Sequence, residues 1–178
     1  PTMDADSSAY LGDTVRFRGI VMVRPLVDPE TDRRPIISRG ERWSTYAQDP
    51  ENNLWGGVVV IQHDTTGENQ NTFFDLVDTA QVVEFTTVIE NYNITTQSSL
   101  LLNPITSVQI IETLPKRPDP LTLPITEFME GGELKPESEK YEGMFVRFEN
   151  VITSNRNPNN GTFVINDANG NKINILDQ

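Results

Sequence analysis

Apolar and polar residues alternate at a period of two along much of this chain, the spacing of half-buried β-strands rather than of helices. In Thr14-Val15-Arg16-Phe17-Arg18-Gly19, the residues Val15, Phe17 and Gly19 share one face, while Arg16 and Arg18 take the other. A second strand is expected near residues 43–49. A turn at 50–53 leads to a third strand over 54–61, where Gly56-Gly57 predicts a bulge or sharp bend of the kind small barrels need. Residues 64–72 read as a polar loop and 73–77 as a short helical turn. The β-branched run 81–89 predicts a fourth strand. A turn at 91–93 follows, then a fifth strand over 98–102 and 107–113, interrupted at Pro104.

The pattern then changes. Four prolines fall within residues 115–124, which predicts an extended, stiff linker. Residues 126–130 read as a short helix ended by Gly131-Gly132, and 133–140 as charged and exposed. Three further strands are expected, at 142–152, 162–166 and 172–176, joined by hairpin turns at 157–161 and 167–171.

These last strands echo the first ones. Tyr10-Leu11-Gly12-Asp13-Thr14-Val15-Arg16-Phe17 aligns with Tyr141-Glu142-Gly143-Met144-Phe145-Val146-Arg147-Phe148, with Tyr, Gly, Val, Arg and Phe at identical spacing. Thr45-Tyr46-Ala47-Gln48-Asp49 resembles Phe163-Val164-Ile165-Asn166-Asp167. An internal repeat of two all-β units is therefore expected. The second lacks counterparts of strands four and five. Its third strand should leave an open edge, for pairing with the rest of a longer chain or with a partner strand.

Five strands, a long loop after strand one and a helical turn between strands three and four resemble an OB-fold. The carrying residues are Gly12-Asp13-Thr14-Val15-Arg16-Phe17-Arg18-Gly19-Ile20-Val21, Tyr46-Ala47-Gln48-Asp49, Trp55-Gly56-Gly57-Val58-Val59-Val60 and Val82-Val83-Glu84-Phe85-Thr86-Thr87-Val88. They are similar to OB-type modules of secreted bacterial proteins, as found in extracellular nucleases and nucleotidases. Thr87 departs from the pattern, where a typical member has Gly. The expected fold is all-β. Residues 1–114 form an OB-fold-like five-stranded barrel, 115–140 a Pro-rich linker with a short helix, and 141–178 a truncated second OB-like module. The resemblance implies a secreted or cell-surface bacterial protein. A chain beginning at Pro1 rather than Met is expected of a processed or trimmed product.

Composition narrows the chemistry. The 178 residues are 36% hydrophobic and 22% charged, which suits a globular chain. The net charge of −12 should repel phosphate backbones and anionic membranes. With no cysteine, disulfides and thiolate metal sites are excluded. No apolar run reaches transmembrane length, so membrane insertion is not expected.

All seven arginines of residues 1–115 lie between Arg16 and Arg42, whereas residues 43–115 hold nine acids and no base. OB barrels bind oligomers through the loop after strand one and the face of strands two and three. Arg33, Arg34, Arg39 and Arg42, with Trp43, Tyr46 and Trp55, are the candidate ligand site, for stacking on bases or sugars and holding phosphates. The competing expectation is that these arginines pair with nearby acids while the aromatics fill or cap the barrel. Asp28, Glu30 and Asp32 alternate along one loop and are weak calcium candidates. Asp4/Asp6, Asp64/Glu68 and Asp167/Asn169/Asn171 are weaker still, and none fits an EF-hand loop. His63 is the single histidine and cannot build a zinc site alone. Asn93-Ile94-Thr95 and Asn160-Gly161-Thr162 are glycosylation sequons. No nucleophile elbow and no phosphate-cradling glycine loop is present. No catalytic residue and no cofactor is expected. The leading expectation is a non-catalytic binding or spacer module for an unknown ligand. The alternatives are single-stranded nucleic-acid or nucleotide binding through the Arg-rich loop, and oligosaccharide binding.

Overall fold

The computed structural model describes residues 8–39, 42–62, 71–91, 98–101, 108–159 and 161–176. Up to residue 113 the chain is built mainly of strands, of which β1 and β7 show the alternating burial most clearly. They are β1 (Thr14–Val21), β2 (Leu26–Asp28), β3 (Asp32–Pro35), β4 (Ile37–Arg39), β5 (Arg42–Gln48) and β6 (Gly57–Gln62). A one-turn helix α1 (Phe73–Leu76) follows, then β7 (Gln81–Asn91), β8 (Ser98–Leu101) and β9 (Gln109–Thr113). The strand-one loop is not irregular throughout, because β2 and β3 form a hairpin and β4 pairs with β5.

The pairing order closes a ring. β1 runs antiparallel to β7 from Thr14↔Val88 to Ile20↔Val82, and its end turns onto β5 through Ile20↔Gln48 and Val21↔Ala47. β5 pairs antiparallel with β6, β6 pairs parallel with β8, and β8 pairs antiparallel with β7. Counting only ring members, the order is first, second, third, fifth, fourth and back to first, with α1 between the third and fourth. That is the OB arrangement, and the fold is all-β and OB-like. β9 extends β7 along Gln81–Glu84, with a register shift between Val82 and Val83.

The interior is filled from every ring strand and from α1. Val21, Leu26, Ala47, Val60, Val83, Phe85 and Leu100 meet Phe73, Phe74 and Val77. The Phe73 ring lies 4.8 Å from Phe85 and 5.8 Å from Phe74. Four residues cannot sustain a helix in water. Here the turn is held by two phenylalanines, each contributing about 1.5–3 kcal/mol of burial.

Beyond the barrel come β10 (Leu121–Thr122), a 3-10 turn (Ile125–Glu127), β11 (Met129–Glu130), β12 (Glu133–Leu134) and a second 3-10 segment (Pro136–Tyr141). The chain then forms β13 (Val146–Arg147), β14 (Ile152–Ser154), β15 (Thr162–Asn166) and β16 (Lys172–Leu176). Four expectations change here. The Pro-rich stretch is not merely extended, since β10 pairs in parallel with β13. The expected helix at 126–130 is a 3-10 turn followed by a hairpin, whose corner Gly131-Gly132 takes φ values of +61° and +92°. Residues 133–140 include a 3-10 segment that buries Ser138. The strand expected at 142–152 is broken between β13 and β14, where Asn150 sits at φ 55°. Strands 162–166 and 172–176 form as expected, in one sheet of order β14-β15-β16. Pro104 lies outside the described residues.

Candidate functional site

Strand alternation decides what the predicted ligand residues can share. Along β5, Trp43 and Ala47 face the barrel interior, and Trp43 packs against Phe74 at 6.5 Å between centroids. Tyr46 faces the opposite way and packs on an outer cluster. Trp43 and Tyr46 therefore lie on opposite faces and cannot stack on one ligand together. Trp55 lies in the turn before β6, at φ 60°, and its backbone N–H donates to the Lys140 carbonyl at 2.7 Å.

The loop arginines are engaged with acids. Arg33 forms an ion pair of 2.5 Å with Asp75 of α1, whose side chain is only 6% exposed. Arg34 binds Asp32 through both carboxylate oxygens. That contact holds the Asp32 carboxyl below its ordinary pKa and raises the guanidinium. Arg42 is half-buried and has an interaction of its own. Of Arg39 only the backbone is described. The seven candidate residues are thus spread over the ion-paired β2–β3 hairpin (Arg33, Arg34), the β4–β5 ladder (Arg39, Arg42), the barrel interior (Trp43), its outer face (Tyr46) and the turn before β6 (Trp55).

The calcium candidates close a turn instead. Asp28 accepts from the Glu30 and Thr31 N–H groups and from the Thr31 hydroxyl, and these bonds lower its pKa. Asp32 belongs to Arg34. Asp167 does the same job in the β15–β16 turn. Its Oδ1 accepts the Asn169 and Asn171 N–H groups, both at 2.9 Å, and its Oδ2 accepts the Asn171 amide at 2.7 Å. Among the described residues, no group of three or more acidic or histidine side chains gathers to hold a metal. Asp4, Asp6, His63, Asp64, Glu68, Asn93 and Asn160 lie outside the described residues.

The most constructed surface is the outer side of β1 and β5, together with the β5–β6 corner. Ile20, Met22 and Val82 are buried outside the barrel, and Val23, Tyr46, Leu114 and Phe145 pack against them. The Phe145 N–H donates to the Gln48 side-chain oxygen at 3.2 Å, and Gln48 is 4% exposed. Arg117 donates to the Met22 carbonyl at 2.9 Å while its guanidinium lies 4.1 Å from the Phe145 ring centre. At the corner, backbone meets backbone. A Cβ on Gly57 would stand 2.3 Å from the Gly143 carbonyl carbon, and one on Gly143 would stand 2.7 Å from the Val58 nitrogen. The β5–β6 register is unbroken from Trp43↔Gln62 to Gln48↔Gly57. Of the expected bulge or sharp bend there is no bulge in this ladder; the chain bends just before the pair, and Gly57 marks a close approach of two backbones.

Sequence reading missed Gln48, Gly57, Arg117, Gly143 and Phe145 as a group. One signal pointed to them. Ile20-Val21-Met22-Val23 and Val58-Val59-Val60-Ile61 are continuously apolar, which demands burial on both strand faces.

The geometry defines an OB-like barrel carrying its own downstream segment on an outer face. No protein-family model matches the chain, and no curated protein matches it. Among solved structures it is similar to an aspartyl tRNA synthetase from Entamoeba histolytica. That likeness has a TM-score of 0.36 and 12% identity, over 68% of this chain and 22% of that one. The fold assignment rests on the strand order. Among the described residues, no helix is long and apolar enough to cross a membrane.

Proposed function

We propose that this chain is a non-catalytic spacer module of a secreted or cell-surface bacterial protein, its barrel serving as a platform for the chain that follows. The observation that carries this reading is the seating of residues 140–145 on the β5–β6 corner and on the outer face at Tyr46 and Gln48. OB barrels that bind polymers use the strand-two and strand-three face together with the loop after strand one. Here part of that face carries the chain's own backbone, and Arg33 and Arg34 of the loop are ion-paired. The resemblance of residues 141–178 to the start of the barrel supports treating them as a related unit. In both segments the residue after the glycine donates its N–H to the tyrosine carbonyl, at 2.9 Å in Asp13→Tyr10 and 3.0 Å in Met144→Tyr141. Both glycines take positive φ, +83° at Gly12 and +67° at Gly143.

The test is a titration of labelled single-stranded DNA and RNA, and of a glycan panel, at low salt, where a screening length of about 30 Å favours any electrostatic contact. The proposal expects no saturable binding and no hydrolysis. Saturable oligonucleotide binding that Arg33→Ala with Arg34→Ala weakens, and whose salt dependence the pair flattens, would replace it with the nucleic-acid reading. Saturable binding of one glycan would replace it with the oligosaccharide reading.

A further inference from the structure

We infer that the outer edge of β16 is a self-pairing surface, on which two copies of this chain join their C-terminal sheets antiparallel about Asn174. β16 is the last strand of the order β14-β15-β16, so among the described residues its second side meets no strand. Its ladder with β15 is regular from Thr162↔Leu176 to Asn166↔Lys172, without a bulge, and the strand contains no proline. These are the devices that ordinarily blunt an edge, and of them β16 carries one lysine.

The sequence of the edge is self-complementary. Pairing register places Phe163, Ile165, Ile173 and Ile175 on one face of the sheet. An antiparallel partner centred on Asn174 sets Ile173 opposite Ile175 of the second copy, and Ile175 opposite its Ile173. That continues the apolar face across the junction. On the other face Asn174 meets Asn174, and each Lys172 meets Leu176, so the two lysines stay at opposite ends. Such a contact is isologous and closes on a dimer.

Length selects β16 over β14, the other edge of the same sheet, which has three residues against five, and charge selects it over the edge of the barrel. At a net charge of −12, copies of the chain repel each other over most of their surface. Residues 151–178 hold Arg156 and Lys172 against Asp167 and Asp177, so this stretch carries no net charge and two copies meet little repulsion along it. The barrel's edge strand β9 exposes Ile110 and Ile111. It belongs to the stretch of nine acids without a base, and its ladder is irregular.

The experiment uses the full chain, which contains no native cysteine. Sedimentation across a concentration series should show a monomer–dimer equilibrium. Asn174→Asp places two carboxylates opposite each other and should weaken the dimer several-fold, with recovery in 1 M salt, where screening acts over about 3 Å. Asn174→Cys should cross-link under mild oxidation, because directly opposed residues stand about 4.5–5.5 Å apart, within disulfide reach. Ile110→Cys, on the other edge, should cross-link more slowly. A chain that stays monomeric to millimolar concentration overturns the inference. So does an Asn174→Cys variant that cross-links no faster than Ile110→Cys.

Discussion

Asp167 shows how a short polar motif resolves once its hydrogen bonds are counted. Its two oxygens take three donors from Asn169 and Asn171, the bonds of a tight turn between β15 and β16. The Asn171 amide and the backbone donors hold the Asp167 carboxyl below its ordinary pKa. A depressed folded-state value means that this contribution is present above the unfolded value and is lost as pH falls through the folded one. Acidification below the ordinary aspartate range should therefore loosen this turn. In an NMR titration, the Asn169 and Asn171 amides should shift together with the Asp167 carboxyl. Amides that titrate independently of that carboxyl would remove this role. The same bond-by-bond reading applies to Arg33, whose Asp75 partner lies 42 residues away in sequence. Composition showed a cluster of positive charge in the strand-one loop, but the long-range partner that neutralises part of it emerges only in the folded chain.

The five ring strands were largely legible, because they are alternating or continuous apolar runs bounded by turns of Gly, Pro, Asn and Asp, whereas β2, β3 and β4 lay hidden in the loop after strand one. α1 was legible as a helical turn, though not as the plug of the barrel. Phe73→Ala should cost about 3–5 kcal/mol, because the ring fills the space between Phe74 and Phe85. Chemical denaturation of the variant would measure this, and a loss below 1 kcal/mol would mean that α1 does not plug the interior. The broken strand between β13 and β14 was not legible. Its residues read as one alternating run, but β13 is drawn into parallel pairing with Leu121–Thr122 and the backbone reverses at Asn150. Tertiary pairing overrides propensity at such positions. The 3-10 segment over Pro136–Tyr141 was hidden for a related reason: its glutamates Glu137 and Glu139 are exposed, while Ser138 and Tyr141 turn inward.

For the molecule as a whole, the central feature is the segment seated on the barrel's outer face. Residue type, with place in the strand-one loop and on the face of strands two and three, marks out the expected ligand residues, and the fold distributes them over opposite faces. The doubly apolar runs at 20–23 and 58–61 carried the better signal, because a strand buried on both sides needs something outside the barrel. Leu114, Arg117 and Phe145 supply that cover for the first run, and Tyr46 packs on Val59 and Ile61 of the second. The most direct measurement is native-state amide hydrogen exchange at Trp55 and Phe145, whose N–H groups bond to Lys140 and Gln48. Gly57→Ala provides the comparison, since it adds one methyl against the Gly143 backbone at a position where φ is not positive. The docked arrangement predicts protection of both amides close to that of Val60 inside the barrel, with loss of that protection in Gly57→Ala while Val60 stays protected. Rapid exchange of Trp55 and Phe145 in the unaltered chain, or protection unchanged by Gly57→Ala, would contradict it.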